Sequence, residues 1–229
     1  MIIKRFANFT LENAIVDVRQ IVYGNQPKEF FEISRKAGDK IKKWFIDKGI
    51  VEKIKREAPE NDSEITHQDL VILLEKTSKA TSEEITFARY ADSVENIANL
   101  FIDLLRQHGH EISMGDFFRI DSQTESLLFF LKDAINRPRP YQLARFYNYP
   151  IYPLIRTDAM TASYPSGHAL TSFVMSEYFS KKYPEIASEL KTLGEKIAYS
   201  REITGIHYPS DTIISKEICR IIFENDLIS

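Results

Sequence analysis

Two histidines in this chain stand where an imidazole can act on a bound anion. His168 closes the stretch Ala162-Ser-Tyr-Pro-Ser-Gly-His168 and leads straight into Ala169-Leu170-Thr171-Ser172-Phe173. This is a loop that becomes a helix, with Ser166 as the capping residue. Unpaired backbone N–H groups and the positive end of the helix dipole converge at such a junction, so Ser166 and Gly167 can hold a phosphate there. His168 adds a proton carrier at the same spot. The second histidine, His207, has Asp211 four positions on and Pro209 between them. Proline suits the first position of a helix, which puts His207 just ahead of a helix and Asp211 in its first turn. The carboxylate can then accept one imidazole N–H and leave the other nitrogen with a free lone pair. A histidine held in that way is a nucleophile or a base.

The surrounding pattern supplies the elements that must position these groups. Residues 1–57 read as charged helix, with Ile41, Phe45 and Ile46 spaced for one buried stripe. Glu57-Ala-Pro-Glu-Asn-Asp-Ser63 is a polar break. Thr66-His-Gln-Asp69 has the spacing of a capping box before Leu70, with His67 a surface residue of that cap. Thr81-Ser-Glu-Glu84 caps a long helix carrying Val94, Ile97, Phe101 and Leu105 and ending at Gly109, with His108 and His110 at its exit. A further helix from Ser122 stops at Arg137-Pro-Arg-Pro140, with Lys132 in its last turns and Arg139 just beyond. Residues 141–164 form an irregular loop rich in Tyr and Pro, and the helix after His168 runs to about Tyr183. Pro184 opens the next helix, which carries Arg201 near its end and stops at Gly205; Pro209 opens the last, to about Glu224. No run demands a sheet, so the expected fold is all-α: one helical bundle over residues 61–229, with residues 1–60 as a helical extension packed on it.

The whole chain limits the choice of function. Its 229 residues are 43% apolar and 28% charged, with a net charge of −3. Basic and acidic residues are interspersed, so no nucleic-acid surface is expected. The single cysteine, Cys219, lies in the apolar pattern of Ile218, Ile221 and Ile222 and belongs to the core. The longest dense apolar run, Leu127-Leu-Phe-Phe-Leu131, falls far short of the roughly 20 residues that span a bilayer. With no recognisable secretory leader, the expectation is a cytoplasmic protein without integral membrane association.

Lys132, then Arg139-Pro140, then Pro165-Ser-Gly-His168, then Ser200-Arg201, His207 and Asp211 together resemble the three-part signature of the type 2 phosphatidic acid phosphatase (PAP2) superfamily. The likeness covers about residues 122–220, with every signature position matched. Ser163-Tyr-Pro-Ser-Gly-His168 is most similar to the bacterial class A acid phosphatases, although those enzymes are typically exported. The resemblance implies the helical fold that this superfamily shares with the vanadium haloperoxidases. It also implies phosphomonoester hydrolysis without a cofactor or metal. His207, oriented by Asp211, would attack phosphorus to give a phosphohistidine; His168 would protonate the leaving alkoxide and then activate water. Lys132, Arg139, Ser166, Gly167 and Arg201 would hold the phosphate oxygens, and Arg137 would either assist or pair with an acidic surface residue. The expected partner is a small soluble phosphate ester, and the family suggests a homodimer. Tyr141, Tyr147, Tyr149 and Tyr152 either stack on a base or sugar of the substrate or pack within the core and loop. Two other readings are kept: a vanadium-dependent haloperoxidase, and a non-catalytic phosphate-binding module.

Overall fold

The computed structural model describes residues 16–35, 39–157 and 160–228; the helical reading of residues 1–15 lies outside them. Among the described residues the chain is all helical, with no strand. The α-helices run α1 (Lys28–Ser34), α2 (Lys40–Asp47), α3 (Ile50–Glu57), α4 (Glu64–Lys79), α5 (Ser82–Tyr90), α6 (Val94–Gln107), α7 (Met114–Ile135), α8 (Pro140–Leu143), α9 (Gly167–Lys182), α10 (Ala187–Ile203) and α11 (Pro209–Glu224).

Helix α9 is the hub. Ala169 to Ser176, together with Phe179 and Ser180, are buried, as expected of a helix that is apolar or small on every face. Helix α10 runs beside it for most of its length, with α7 and α11 also packed on α9. The close approach of α9 and α10 comes from small residues. Ser172, Ser176 and Ser180, one turn apart along α9, donate to the carbonyls of Gly194 (3.1 Å), Leu190 (2.9 Å) and Ala187 (3.4 Å) on α10. A Cβ at Gly194 would collide with Ser176 Oγ and come within 3.1 Å of the Ser172 carbonyl oxygen. Gly194→Ala should therefore destabilise the fold. Overpacking and the lost serine bonds outweigh the gain of about 1 kcal/mol in helix propensity, for a net of about 2 kcal/mol. A melting curve should show Tm lower by roughly 4–8 °C; an unchanged Tm would mean that the two helices separate freely.

Ile41, Phe45, Val51 and Ile54 from α2 and α3 join the same apolar cluster as α6, α7, α9 and α10. Ile46 does not: it is 46% exposed, because only Ile41 and Phe45 fall on the inner face. A second cluster, of Leu70, Leu73, Leu143, Ala144, Ile151 and Tyr208, fixes the Tyr-rich loop against α4. Cys219 is buried as expected.

Several boundaries depart from the sequence pattern. Among residues 16–27 only the 3-10 turn Val18–Gln20 is helical, the loop expected over 141–164 opens with the end of α8 and a 3-10 turn at Ala144–Tyr147, and Pro184 opens a 3-10 turn ahead of α10. Of three others, two bear on the site. Helix α4 starts at Glu64, where the Ser63 hydroxyl accepts from the Thr66 N–H at 3.2 Å. Thr66 and Asp69 are thus interior residues on one buried face, not a cap. The helix capped by Thr81 ends at Tyr90, and a second begins at Val94 with Ser93 as its cap. Asn96 Nδ2 donates to the Tyr90 carbonyl across the break at 2.7 Å, which exposes the backbone and side chain of Asp92 for other partners. Helix α7 starts at Met114, with a reciprocal Ser113–Asp116 capping box, well before Ser122.

Candidate active site

Helix ends bring the polar groups together. α7 delivers Lys132, and the left-handed Asn136 (φ 49°) stops it. The extended Arg137–Arg139 segment follows, with Pro140 opening α8. On the other side Ser166 caps α9, accepting from the Ala169 N–H at 3.4 Å. The N–H groups of Gly167 and His168, at the first two helical positions, have no acceptor within the helix. At the end of α10, Gly205 (φ 71°) turns the chain, and the Arg201 carbonyl accepts from the N–H groups of Ile206 and His207, both at 3.2 Å. That turn ties His207 to Arg201, and Pro209 then starts α11 so that Asp211 lies one turn inside it.

A cavity of about 230 Å³ lies between these ends, lined by Lys132, Arg139, Gly167, His168, Arg201 and His207 among others. Ser166 and Asp211, both fully buried, stand one layer behind. Asp211 Oδ2 accepts from His207 Nδ1 (3.0 Å), the Ser163 hydroxyl (2.5 Å) and the Tyr208 N–H (3.0 Å). The carboxylate fixes the tautomer: Nδ1 carries the proton and Nε2 the lone pair. Arg139 Nη1 donates to that lone pair at 2.8 Å, while its Nε and Nη2 hold the Thr161 carbonyl at 3.0 and 2.8 Å. His168 is placed differently. Its Nε2 meets the Asp92 carbonyl at 2.9 Å, and since a carbonyl only accepts, Nε2–H is the donor and Nδ1 the site for a mobile proton.

The cavity is a concentrated positive site. Lys132 Nζ donates to the Ala162 carbonyl at 2.5 Å. Arg201 Nη2 donates to Asp92 Oδ1 at 2.5 Å, but its Nε and Nη1 are buried without a hydrogen-bond partner. Unpaired buried donors are costly, and a guanidinium that keeps two of them is suited to an anion. Burial pushes every one of these basic groups down, with a neighbouring cation next in weight for Lys132 and the two histidines and Asp211 opposing it at Arg139: His168 falls to about 3, Arg139 to about 10, and Lys132 and His207 well below their usual values. Both imidazoles are therefore neutral near pH 7. A bound anion would reverse the electrostatic part of these shifts.

Of the two sequence readings of Arg137, pairing with a surface acid does not hold. Arg137 is 3% exposed and does not reach the cavity. Nη1 donates to Asp211 Oδ1 (2.8 Å) and the Ser210 hydroxyl (2.7 Å); Nη2 donates to the Thr66 hydroxyl (3.1 Å) and Asp69 Oδ2 (3.3 Å). Its guanidinium lies over the Tyr208 ring at 3.8 Å. Both acids are buried. Burial alone would raise Asp211, but Arg137, His207 and Ser163 outweigh it and hold this carboxyl well below the usual range. Asp69, Asp92 and Ser163 escaped the sequence reading. Only Ser163 carried a signal, its place in the stretch that ends at His168. None of Tyr141, Tyr147, Tyr149 and Tyr152 lines the cavity; Tyr147 donates to the Asn61 carbonyl and Tyr152 is exposed. The apolar wall comes instead from Phe30, Val94, Leu128, Phe129 and Met160, with Phe30 and Phe129 stacked at 4.6 Å.

No group of three or more His, Cys, Asp or Glu side chains among the described residues is placed to hold a metal ion. No described helix is long and apolar enough to cross a membrane.

Comparison with known proteins gives the following. Residues 124–223 match the PAP2 superfamily. No curated protein matches. A bacterial vanadium-dependent iodoperoxidase superposes with a TM-score of 0.56 at 17% identity, over 72% of this chain and 48% of its own; this chain thus spans about half the length of that protein. A transmembrane PAP2-type phosphatidylglycerolphosphate phosphatase from Bacillus subtilis superposes with a TM-score of 0.49 at 14% identity, over 83% of this chain and 96% of its own. The iodoperoxidase likeness gives the all-α fold, and the matched segment runs from the middle of α7 through α9 and α10 nearly to the end of α11, the helices whose ends surround the cavity. Over residues 124–223, somewhat less than half of its length, this chain is similar to the PAP2 superfamily.

Proposed function

We propose that this protein is a metal-independent phosphatase that hydrolyses a small soluble phosphomonoester through a phosphohistidine intermediate, as the class A-like Ser163–His168 stretch also suggests. The observation that carries this reading is the pairing, in one 230 Å³ cavity, of a neutral His207 oriented by Asp211 with three buried cations and a second histidine. The phosphate lies among Lys132, Arg139 and Arg201 and the N–H groups at the start of α9, with the Ser166 hydroxyl behind them. Arg139 moves its Nη1 donor from His207 Nε2 to a phosphate oxygen, and the released lone pair attacks phosphorus in line with the ester oxygen. The P–O bond to the alcohol breaks as the N–P bond forms, and the alkoxide takes a proton from His168 Nδ1. Water then attacks the phosphohistidine, gives its proton to His168 and releases phosphate and His207. Residues 61–229 form the phosphatase domain in this reading, and residues 1–60 an extension that contributes Phe30 to the cavity wall.

The test is hydrolysis of an aryl phosphate in the presence of a chelator, with vanadate as inhibitor. The fold likeness to the iodoperoxidase favours a second reading, in which the same cradle holds vanadate and the protein oxidises halide with peroxide. Vanadate inhibits the first activity and confers the second. Absence of any chelator-resistant hydrolysis would overturn the phosphatase reading.

The pH dependence has a definite sign. With His168 pushed down to about 3, the free protein has no proton on Nδ1 to offer above that pH. The leaving group's proton must arrive with the monoanionic ester, whose second ionisation lies at about 6. For an alkyl phosphate, kcat/KM should be level between about pH 4 and 6 and fall tenfold per unit above. A plateau persisting to pH 8 would show that His168 already carries its proton in the free protein.

A further inference from the structure

The cavity has a second pole that phosphate binding leaves unused. Helix α7 lines it with Asp121, Thr124, Glu125, Leu128, Phe129 and Lys132, the positions of one helical face. Glu125 stands seven positions before Lys132 and Asp121 eleven, so their backbones lie about 10 Å and about 16 Å along the helix from that of the lysine, whose side chain leans back towards them. Asp121 is buried, and its Oδ1 accepts from the Thr171 hydroxyl at 2.7 Å; Thr171 also lines the cavity, one turn after His168 on α9. Neither Asp121 nor Glu125 is ion-paired among the described residues. That this cavity takes a ligand has a separate support in Arg201, which lines it with Nε and Nη1 buried and unpartnered.

We infer that the leaving alcohol carries an ammonium group, held by Asp121 and Glu125 while the phosphate lies on Lys132, Arg139 and Arg201. The inference rests on the phosphatase reading and names its substrate class: short aminoalkyl phosphomonoesters. Size agrees. A cavity of about 230 Å³ has room for about eight water-sized groups, which fits a phosphate and a chain of two or three carbons ending in nitrogen. The carbons lie against Leu128, Phe129 and Phe30. Burial, and then Glu125 working against the Thr171 hydrogen bond, raise Asp121 to about 6, a shift that a cation between the two carboxylates would reverse.

The experiment compares 2-aminoethyl phosphate with its neutral counterpart propyl phosphate, in the unmodified protein and in Asp121→Asn, Glu125→Gln and the double variant. The ratio of the two kcat/KM values within each protein is the readout, so a loss of folded or active protein cancels. Asparagine also keeps an acceptor for Thr171. The ratio should favour the ammonium ester by ~10-fold or more, chiefly through KM, drop about tenfold in each single variant and approach one in the double. Equal ratios in all four proteins, with an aryl phosphate still hydrolysed, would overturn the ammonium subsite and leave the phosphatase reading standing. If no ester is hydrolysed by any of them, the phosphatase reading fails. Calorimetric titration with the same two compounds then decides the subsite, and equal Kd values overturn it.

Discussion

His207→Ala should lower the turnover of an aryl phosphate by roughly 10⁴-fold or more, the scale on which enzymes lose rate when a nucleophile is removed. At about 1.4 kcal/mol per decade this is more than 5 kcal/mol of barrier, beyond what a single cradle donor supplies at about 3 kcal/mol. The geometry explains why no neighbour substitutes. His168 has its Nε2–H committed to the Asp92 carbonyl, and Lys132 is committed to the Ala162 carbonyl, so neither has His207's combination of an orienting carboxylate and an outward lone pair. Alanine leaves Lys132, Arg139 and Arg201 in place, so inorganic phosphate should still bind. Acid quenching of the unmodified protein during turnover should trap phosphate on an imidazole, and the variant should trap none. His168→Ala separates the two steps. With an aryl ester whose leaving group needs no proton, the variant should release one equivalent of alcohol quickly and then stall, because nothing takes the proton from water. Turnover by His207→Ala within tenfold of the unmodified protein would sink covalent catalysis at this residue.

The cradle was legible in the sequence because its members sit at helix ends, where local chemistry is explicit. Ser166 caps α9, Pro209 opens α11 and Gly205 closes α10 as read, and each of these features acts within a few residues of its own position. What lies behind the cradle is set by tertiary choice. Thr66-His-Gln-Asp69 satisfies the capping-box spacing, but Ser63 satisfies the same need one turn earlier and frees Thr66 and Asp69 to face Arg137. The apolar period from Thr81 to Gly109 hides a break, since Ser93 and Asn96 are compatible with either a helix interior or a helix start. Only Asp92's engagement with His168 and Arg201, on distant helices, gives the break a use. Of the two readings of the aromatic loop, packing rather than substrate stacking is the one the structure takes, for a related reason. Tyrosine is amphipathic, and Tyr147 and Tyr149 found core and backbone partners, leaving the cavity wall to phenylalanines on α1 and α7.

Arg137→Ala is the substitution expected to cost most in stability. It leaves two buried carboxylates, Asp69 and Asp211, without the cation that lies between them. Breaking a buried pair on one side costs about 3–5 kcal/mol, or roughly 6–20 °C in Tm for a chain of this size. The pH dependence identifies the cause. Asp211 is held below the usual carboxylate range in the folded protein, so its contribution is present above about pH 4 and is lost as pH falls through its folded value. Burial already raises Asp69 against the pull of Ser210 and Arg137, and without Arg137 it rises further. A carboxyl raised in the folded state stabilises most when protonated, so the deficit of the variant should be largest near pH 7 and shrink towards pH 4. Arg137→Lys restores charge but not the fork that reaches Asp211, Ser210, Thr66 and Asp69 together; it should recover part of the stability. It should recover less of the activity, because the angle of the Asp211 carboxylate sets the ring of His207. A Tm for Arg137→Ala within about 2 °C of the unmodified protein, or a deficit independent of pH, would mean that water replaces the guanidinium and that Asp211 orients His207 unaided.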